Sequence, residues 1–138
     1  MNKTYFKDKV IIITGASSGI GLASARLFGS CGAKVVMAAR HLDKLQAEVP
    51  SVSADPDNVL CVKTDVSKEE DCKVLINKAV EKFGRIDILV NNAGISMRAM
   101  FKDLDLSVIK SLMDVNFWGT VYCTKYALPY LLHSKGSV

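Results

Sequence analysis

Apolar positions along this chain fall into two alternating patterns. Val10-Ile11-Ile12-Ile13 and Val35-Val36-Met37-Ala38 are continuous runs, the signature of strands buried on both faces of a parallel sheet. Between such runs the apolar residues recur at helical spacing. The reading is a strand at Val10 to Thr14, a helix from about Gly19 to Cys31 stopped by Gly32, and a second strand from Lys34 to Ala39. A short helix from about Leu42 to Val49 is expected to end before Pro50, and Ser51 to Asn58 to form a polar loop.

The third strand is expected at Val59 to Lys63. Ser67 and Glu70 have capping-box spacing for a helix carrying Val74, Leu75, Ala79 and Phe83, with Gly84 closing it. A fourth strand from Ile86 to Val90 runs into Asn91-Asn92-Ala93-Gly94, and one long helical stretch follows from about Asp105 to His133. Gly136-Ser137-Val138 reads as the start of a fifth strand. This alternation predicts an α/β doubly wound parallel sheet of order 3-2-1-4, with a ligand crevice at the carboxyl ends of strands one and four. Strand four then becomes an open edge, from which self-association is expected.

The segment Thr14-Gly15-Ala16-Ser17-Ser18-Gly19-Ile20-Gly21 joins the first strand to the first helix. Glycines there let backbone approach a ligand closely, and the free N–H groups of the helix start attract a pyrophosphate. Leu22 follows the last glycine where a nucleotide-triphosphatase loop would carry Lys and then Ser or Thr. Gly15, Ser17, Ser18, Gly19 and Ile20 are the candidate phosphate-side residues; either serine serves equally well as a helix cap.

Composition narrows the class. The net charge is +4, from 18 basic and 14 acidic residues scattered without a basic stripe, which argues against nucleic acid. Met1 to Lys9 is polar and charged, so neither a signal peptide nor a membrane anchor is expected, and a cytoplasmic location is the default. Cys31, Cys61, Cys72 and Cys123 lack CxxC spacing and read as reduced packing residues. With only His41 and His133 available, no metal site is expected.

TGxxxGxG at Thr14–Gly21 together with Asn91-Asn92-Ala93-Gly94 resembles the short-chain dehydrogenase/reductase family over essentially the whole chain. That resemblance implies an oxidoreductase moving a hydride between a nicotinamide dinucleotide and a small-molecule carbonyl or secondary alcohol. Ala39-Arg40 stands where an enzyme using the unphosphorylated dinucleotide wants a carboxylate. An arginine there can pair a 2′-phosphate, a charge-assisted bond worth about 1.5–3 kcal/mol. The pattern resembles the NADP(H)-preferring branch. His41 is a possible assistant, while Asp43 fits a first-turn helix charge and Arg40 could still be a plain surface residue.

By the same resemblance Asp65 would bond the adenine amino group, with the backbone at Val66 completing the base pocket; an Asx-type turn is the alternative for Asp65. Asn92, Ala93 and Gly94 would lie on the cofactor side, with a purely structural Asn92 as the alternative. Asn116, set among Leu112, Met113, Val115, Phe117 and Trp118, would join the catalytic group and hold a relay water; a satisfied core amide is the alternative. The loop Ile95 to Phe101 would border the substrate.

The family's serine and Tyr-x-x-x-Lys would lie beyond the fifth strand. Tyr5/Lys9 and Tyr122/Lys125 are read as coincidental pairs. The expectation is therefore a single NADP(H)-binding domain over residues 1–138, incomplete at its C-terminus, inactive alone, and part of a homo-oligomer. The rival readings are a non-catalytic NADP(H)-binding module and a fragment that completes its sheet with another chain.

Overall fold

A computed structural model describes residues 3–138; Met1 and Asn2 of the polar N-terminal stretch lie outside the described residues. The continuous apolar runs become β1 (Val10–Thr14), β2 (Lys34–Ala39) and β3 (Val59–Lys63), with the bounds expected of them. β4 is shorter than expected, Ile88–Val90. All pairings are parallel and the order is β3-β2-β1-β4.

Ile86 and Asp87 are lost from β4 for a reason legible in Asp87. Its carboxylate is buried and accepts from the Val10 N–H at 2.9 Å and from the Arg85 guanidinium at 2.9 and 2.6 Å. The segment is shaped by that clasp and enters the ladder only afterwards.

Alternate residues of each strand feed two cores. Val10, Ile12, Val36, Ala38 and Leu89 point to one face, against α3 (Glu69–Phe83) and α5 (Gly119–Ser134). Ile11, Ile13, Val35 and Met37 point to the other, against α1 (Gly19–Ser30) and α2 (Leu42–Val52). Val10, Ile11, Ile12 and Ile13 are all fully buried, so β1 is central and its run needs no polar alternation.

Four local expectations are corrected. α2 runs through Pro50 to Val52. A proline costs the helix one hydrogen bond, but Arg26 of α1 holds this last turn, bonding Ser51 Oγ at 3.0 Å and Glu48 Oε2 at 2.7 Å. Val52 is buried beneath it. The capping box at Ser67 and Glu70 does not form: α3 starts after Lys68 with no side-chain cap, because Ser67 gives its hydroxyl to Asp65 at 2.6 Å. Glu69, Glu70 and Asp71 instead place negative charge in the first turn of α3.

The long helical stretch is also divided. α4 (Leu106–Met113) is capped by Asp105, then a π-helical turn spans Asp114–Trp118 before α5. The wider turn re-aims Asn116, which is exposed rather than held in a core. Finally, β4 is the edge of the sheet, but its edge is partly covered. Ser137 bridges Ile88 in parallel sense: Leu89 N–H donates to Ser137 O and Ser137 N–H to Asp87 O, both at 3.0 Å.

Candidate functional site

At the carboxyl ends of β1 and β4 lies an open cleft of about 500 Å³. Its phosphate-side wall is the turn after β1. Gly15 adopts φ +66°, and a Cβ there would come within 2.9 Å of the Ala93 Cα. A Cβ on Gly21 would collide with the Gly15 carbonyl. Both positions hold glycine because backbone packs on backbone there, which draws the start of α1 against the Asn-Asn-Ala-Gly turn.

Ser18 occupies the N-cap of α1 yet makes no side-chain cap bond. The capping alternative is therefore not realised at Ser18, which lines the cleft with Ser17 and Gly19. Ile20 is 79% exposed beside them, an apolar side chain left to solvent at the mouth of the site.

The second wall is the end of β2. Ala39, Arg40 and His41 line the cleft, and Asp43 does not, standing in the first turn of α2 as expected. Arg40 is exposed, and among the described residues no carboxylate pairs with its guanidinium. No acidic side chain borders the cleft on this wall.

On the third wall, after β3, Thr64, Asp65 and Val66 line the cleft. Asp65 Oδ1 accepts from the Ser67 N–H at 3.1 Å and from its hydroxyl at 2.6 Å. This is the Asx-turn alternative. The turn engages Oδ1 of the carboxylate, while the Asp65 N–H is taken by Asp71 Oδ2 at 2.8 Å.

The fourth wall is the turn after β4, where Asn92, Ala93, Gly94 and Ile95 line the cleft with Val115 across from them. Asn92 also ties the strand ends: its Nδ2 donates to the Thr14 and Gly15 carbonyls at 3.0 and 3.3 Å. Asn116 does not line the cleft itself. It clamps the residue that does, with Oδ1 accepting from Ile95 N–H and Nδ2 donating to Ile95 O, each at 2.8 Å. Neither a core amide nor a free polar group, it fixes the loop that leaves the site.

Every expected cofactor-side residue thus meets in one cleft. Sequence reasoning passed over Thr14, which is buried and accepts at Oγ1 from both Asn92 N–H (3.1 Å) and Ala93 N–H (3.0 Å). The signal was its place at the head of the glycine motif. Thr64 and Val115 carried none. The Tyr/Lys pairs stay away from the cleft: Lys9 Nζ sits over the Tyr5 ring before β1, Tyr122 stacks on Trp118, and Lys125 pairs Glu69 at 3.7 Å.

A glycine turn, a parallel sheet reversing at β1/β4 and a cleft at that reversal define a dinucleotide-binding α/β protein of the Rossmann type. The short chain dehydrogenase family profile matches residues 9–138, and the chain belongs to that family of oxidoreductases. An 11-beta-hydroxysteroid dehydrogenase A from Sesamum indicum is 46% identical over 133 residues, 94% of this chain and 38% of that protein. A Caenorhabditis elegans short-chain dehydrogenase/reductase of unknown function, solved with cofactor, superposes with a TM-score of 0.88 at 33% identity, over 95% of this chain and 51% of that one. An alcohol dehydrogenase from Thermococcus sibiricus, complexed with 5-hydroxy-NADP, gives 0.90 at 31% identity over 95% and 57%. The chain therefore spans about half or less of the length of these relatives. The family uses nicotinamide cofactors and acts on small molecules. Among the described residues no helix is long and apolar enough to cross a membrane.

Proposed function

We propose that this chain is the nucleotide-binding portion of an NADP(H)-dependent oxidoreductase acting on a carbonyl or secondary alcohol. The observation that carries the reading is the end of β2: Ala39 leaves no carboxylate to repel a 2′-phosphate, and Arg40 stands in the cleft without an acidic partner. The backbone at Gly15 to Ile20 fits the pyrophosphate, since Gly15 and Gly21 draw the start of α1 against the turn after β4 and the free N–H groups there face the cleft wall. Ser17 and Ser18 offer hydroxyls to the same phosphates. Val66 and the Asp65 backbone border the base, and Ala93 and Gly94 leave room for the ribose.

When bound, the nicotinamide supplies the hydride donor or acceptor. The chain's own residues bind and orient it: Thr14 and Asn92 fix the turn under the ribose, and Asn116 holds Ile95 where the substrate side begins. Asn116, which the resemblance places in the catalytic group, is assigned here as a positioning residue acting through that loop. No Tyr/Lys pair among the described residues reaches the cleft, so the purified chain is expected to bind dinucleotide without turning over carbonyl substrates.

The test is a titration with NADPH and with NADH, following energy transfer from the single tryptophan, Trp118. NADPH is expected to bind more tightly, and R40A to weaken it about ten- to a hundredfold, the loss of one charge-assisted bond, while leaving NADH within about twofold. Equal affinities in the parent chain, or an R40A effect shared by both nucleotides, would sink the 2′-phosphate assignment.

A further inference from the structure

Asp65 lines the cleft just past the end of β3, and its own segment engages nearly every bonding group it has. Its N–H donates to Asp71 Oδ2 at 2.8 Å, and its carbonyl accepts from the Lys68 N–H at 3.0 Å. Oδ1 accepts from the N–H and the hydroxyl of Ser67 at 3.1 and 2.6 Å. Oδ2 has no hydrogen-bond partner among the described residues. The residue is locked at its N–H, its carbonyl and one carboxylate oxygen, and the other oxygen is left for whatever enters the cleft.

Asp71 anchors that lock. Thr64 still belongs to the sheet, its N–H donating to the Ala39 carbonyl at 2.9 Å, and Asp65 is the first residue past that ladder. Its N–H takes a side-chain acceptor instead, supplied from the third position of α3. Asp71 is half-buried and its neighbour Cys72 is fully buried in the core, so the acceptor rides on a packed helix rather than on a loop.

We infer that Asp71 is a positioning residue for base recognition: by holding the Asp65 backbone it aims Asp65 Oδ2 at the exocyclic group of the base. The inference rests on the nucleotide reading proposed above. An ionised carboxylate oxygen accepts and cannot donate. It therefore suits adenine, whose exocyclic group is an amine, and repels hypoxanthine, which carries a carbonyl in its place. Selectivity between the two bases then depends on a side chain that does not itself line the cleft. Asp71 also sets negative charge in the first turn of α3. That role needs only the charge and makes no distinction between bases.

The experiment is calorimetric titration of the chain with NADPH and with its hypoxanthine counterpart, deamino-NADPH, in the parent, D71A and D71N. The parent should bind NADPH at least about tenfold more tightly, the effect of one hydrogen bond to a charged group. D71A should weaken NADPH about five- to tenfold and leave deamino-NADPH within about twofold, so that the preference collapses. D71N keeps an acceptor without the charge and should retain most of the preference. D71E keeps the charge but displaces the acceptor by one methylene; it should lower the preference too, and decides the matter if D71A fails to fold by circular dichroism. Losses shared equally by both nucleotides, or a D71N variant as damaged as D71A, overturn the positioning role. A parent that binds the two nucleotides equally overturns it as well, because Asp65 then does not read the base. A parent that binds neither overturns the nucleotide reading itself, and this proposal with it.

Discussion

Asn92 grips Thr14 twice: its N–H donates to Thr14 Oγ1 at 3.1 Å, and its Nδ2 donates to the Thr14 carbonyl at 3.0 Å. This double grip crosses from the end of β1 to the end of β4, at the place where the strand order reverses. The cleft exists because these two strand ends are fixed at one spacing. T14V leaves the Ala93 N–H without its acceptor, while the Asn92 N–H keeps the Val90 carbonyl at 3.0 Å, and should cost about 1–3 kcal/mol. T14S keeps the oxygen and should recover most of it. Urea denaturation of T14V, N92A and the double variant measures the coupling; strictly additive losses would show that the two bonds contribute nothing as a unit.

How much of this was legible in the sequence depends on what each residue answers to. Val10 to Thr14 is buried on both faces, so its apolar run alone delimits it, and the same holds for Lys34 to Ala39. The glycine motif is equally local, since it records where backbone meets backbone. What escaped reading answers to distant partners. Pro50 stays helical because Arg26, from another helix, holds the turn around it. Ser67 turns back to Asp65 instead of capping α3, a choice between two local bonds that spacing cannot decide.

Asn116 shows the same limit at the site. Its residue type and neighbourhood marked it, but not the wider π-helical turn that carries it out of the core toward Ile95. The two 2.8 Å bonds to Ile95 form a peptide-like clamp that needs both an acceptor and a donor. N116D keeps the acceptor and loses the donor, while N116A loses both. Hydrogen exchange at the Ile95 amide should therefore accelerate strongly in N116A and least in N116D, with the amides of β1 unaffected. An Ile95 amide that exchanges equally in parent and N116A would remove the clamp as a positioning device.

Acid should loosen the helix starts and ties before it touches the cores. Hydrogen bonding to Ser107 holds the Asp105 carboxyl below its usual range, Arg26 does so for Glu48, and Tyr126 for Glu69. A carboxyl depressed in the folded state adds stability above its unfolded value and loses it as pH falls through the folded one. Thermal midpoints should thus be flat near neutrality and drop once pH enters and passes below the ordinary carboxylate range. D105N keeps an N-cap without a titrating group, so its midpoint should fall less steeply than the parent's. A parallel fall in both would remove Asp105 from the account.

The edge of the sheet gives the sharpest solution test. β4 lies outermost, and an unpaired edge of this apolar character invites another chain. Ser137 already occupies part of it, taking the Leu89 N–H and giving its own to the Asp87 carbonyl. S137P removes that donor and, through its ring, disfavours the extended pairing beside Ile88. Deleting residues 136–138 removes the cover entirely. Sedimentation velocity over a concentration series should show stronger self-association in the order parent, S137P, deletion. If the deletion sediments like the parent at every concentration, the two bonds from Ser137 are incidental to the edge. Association of this protein would then have to be sought on another face.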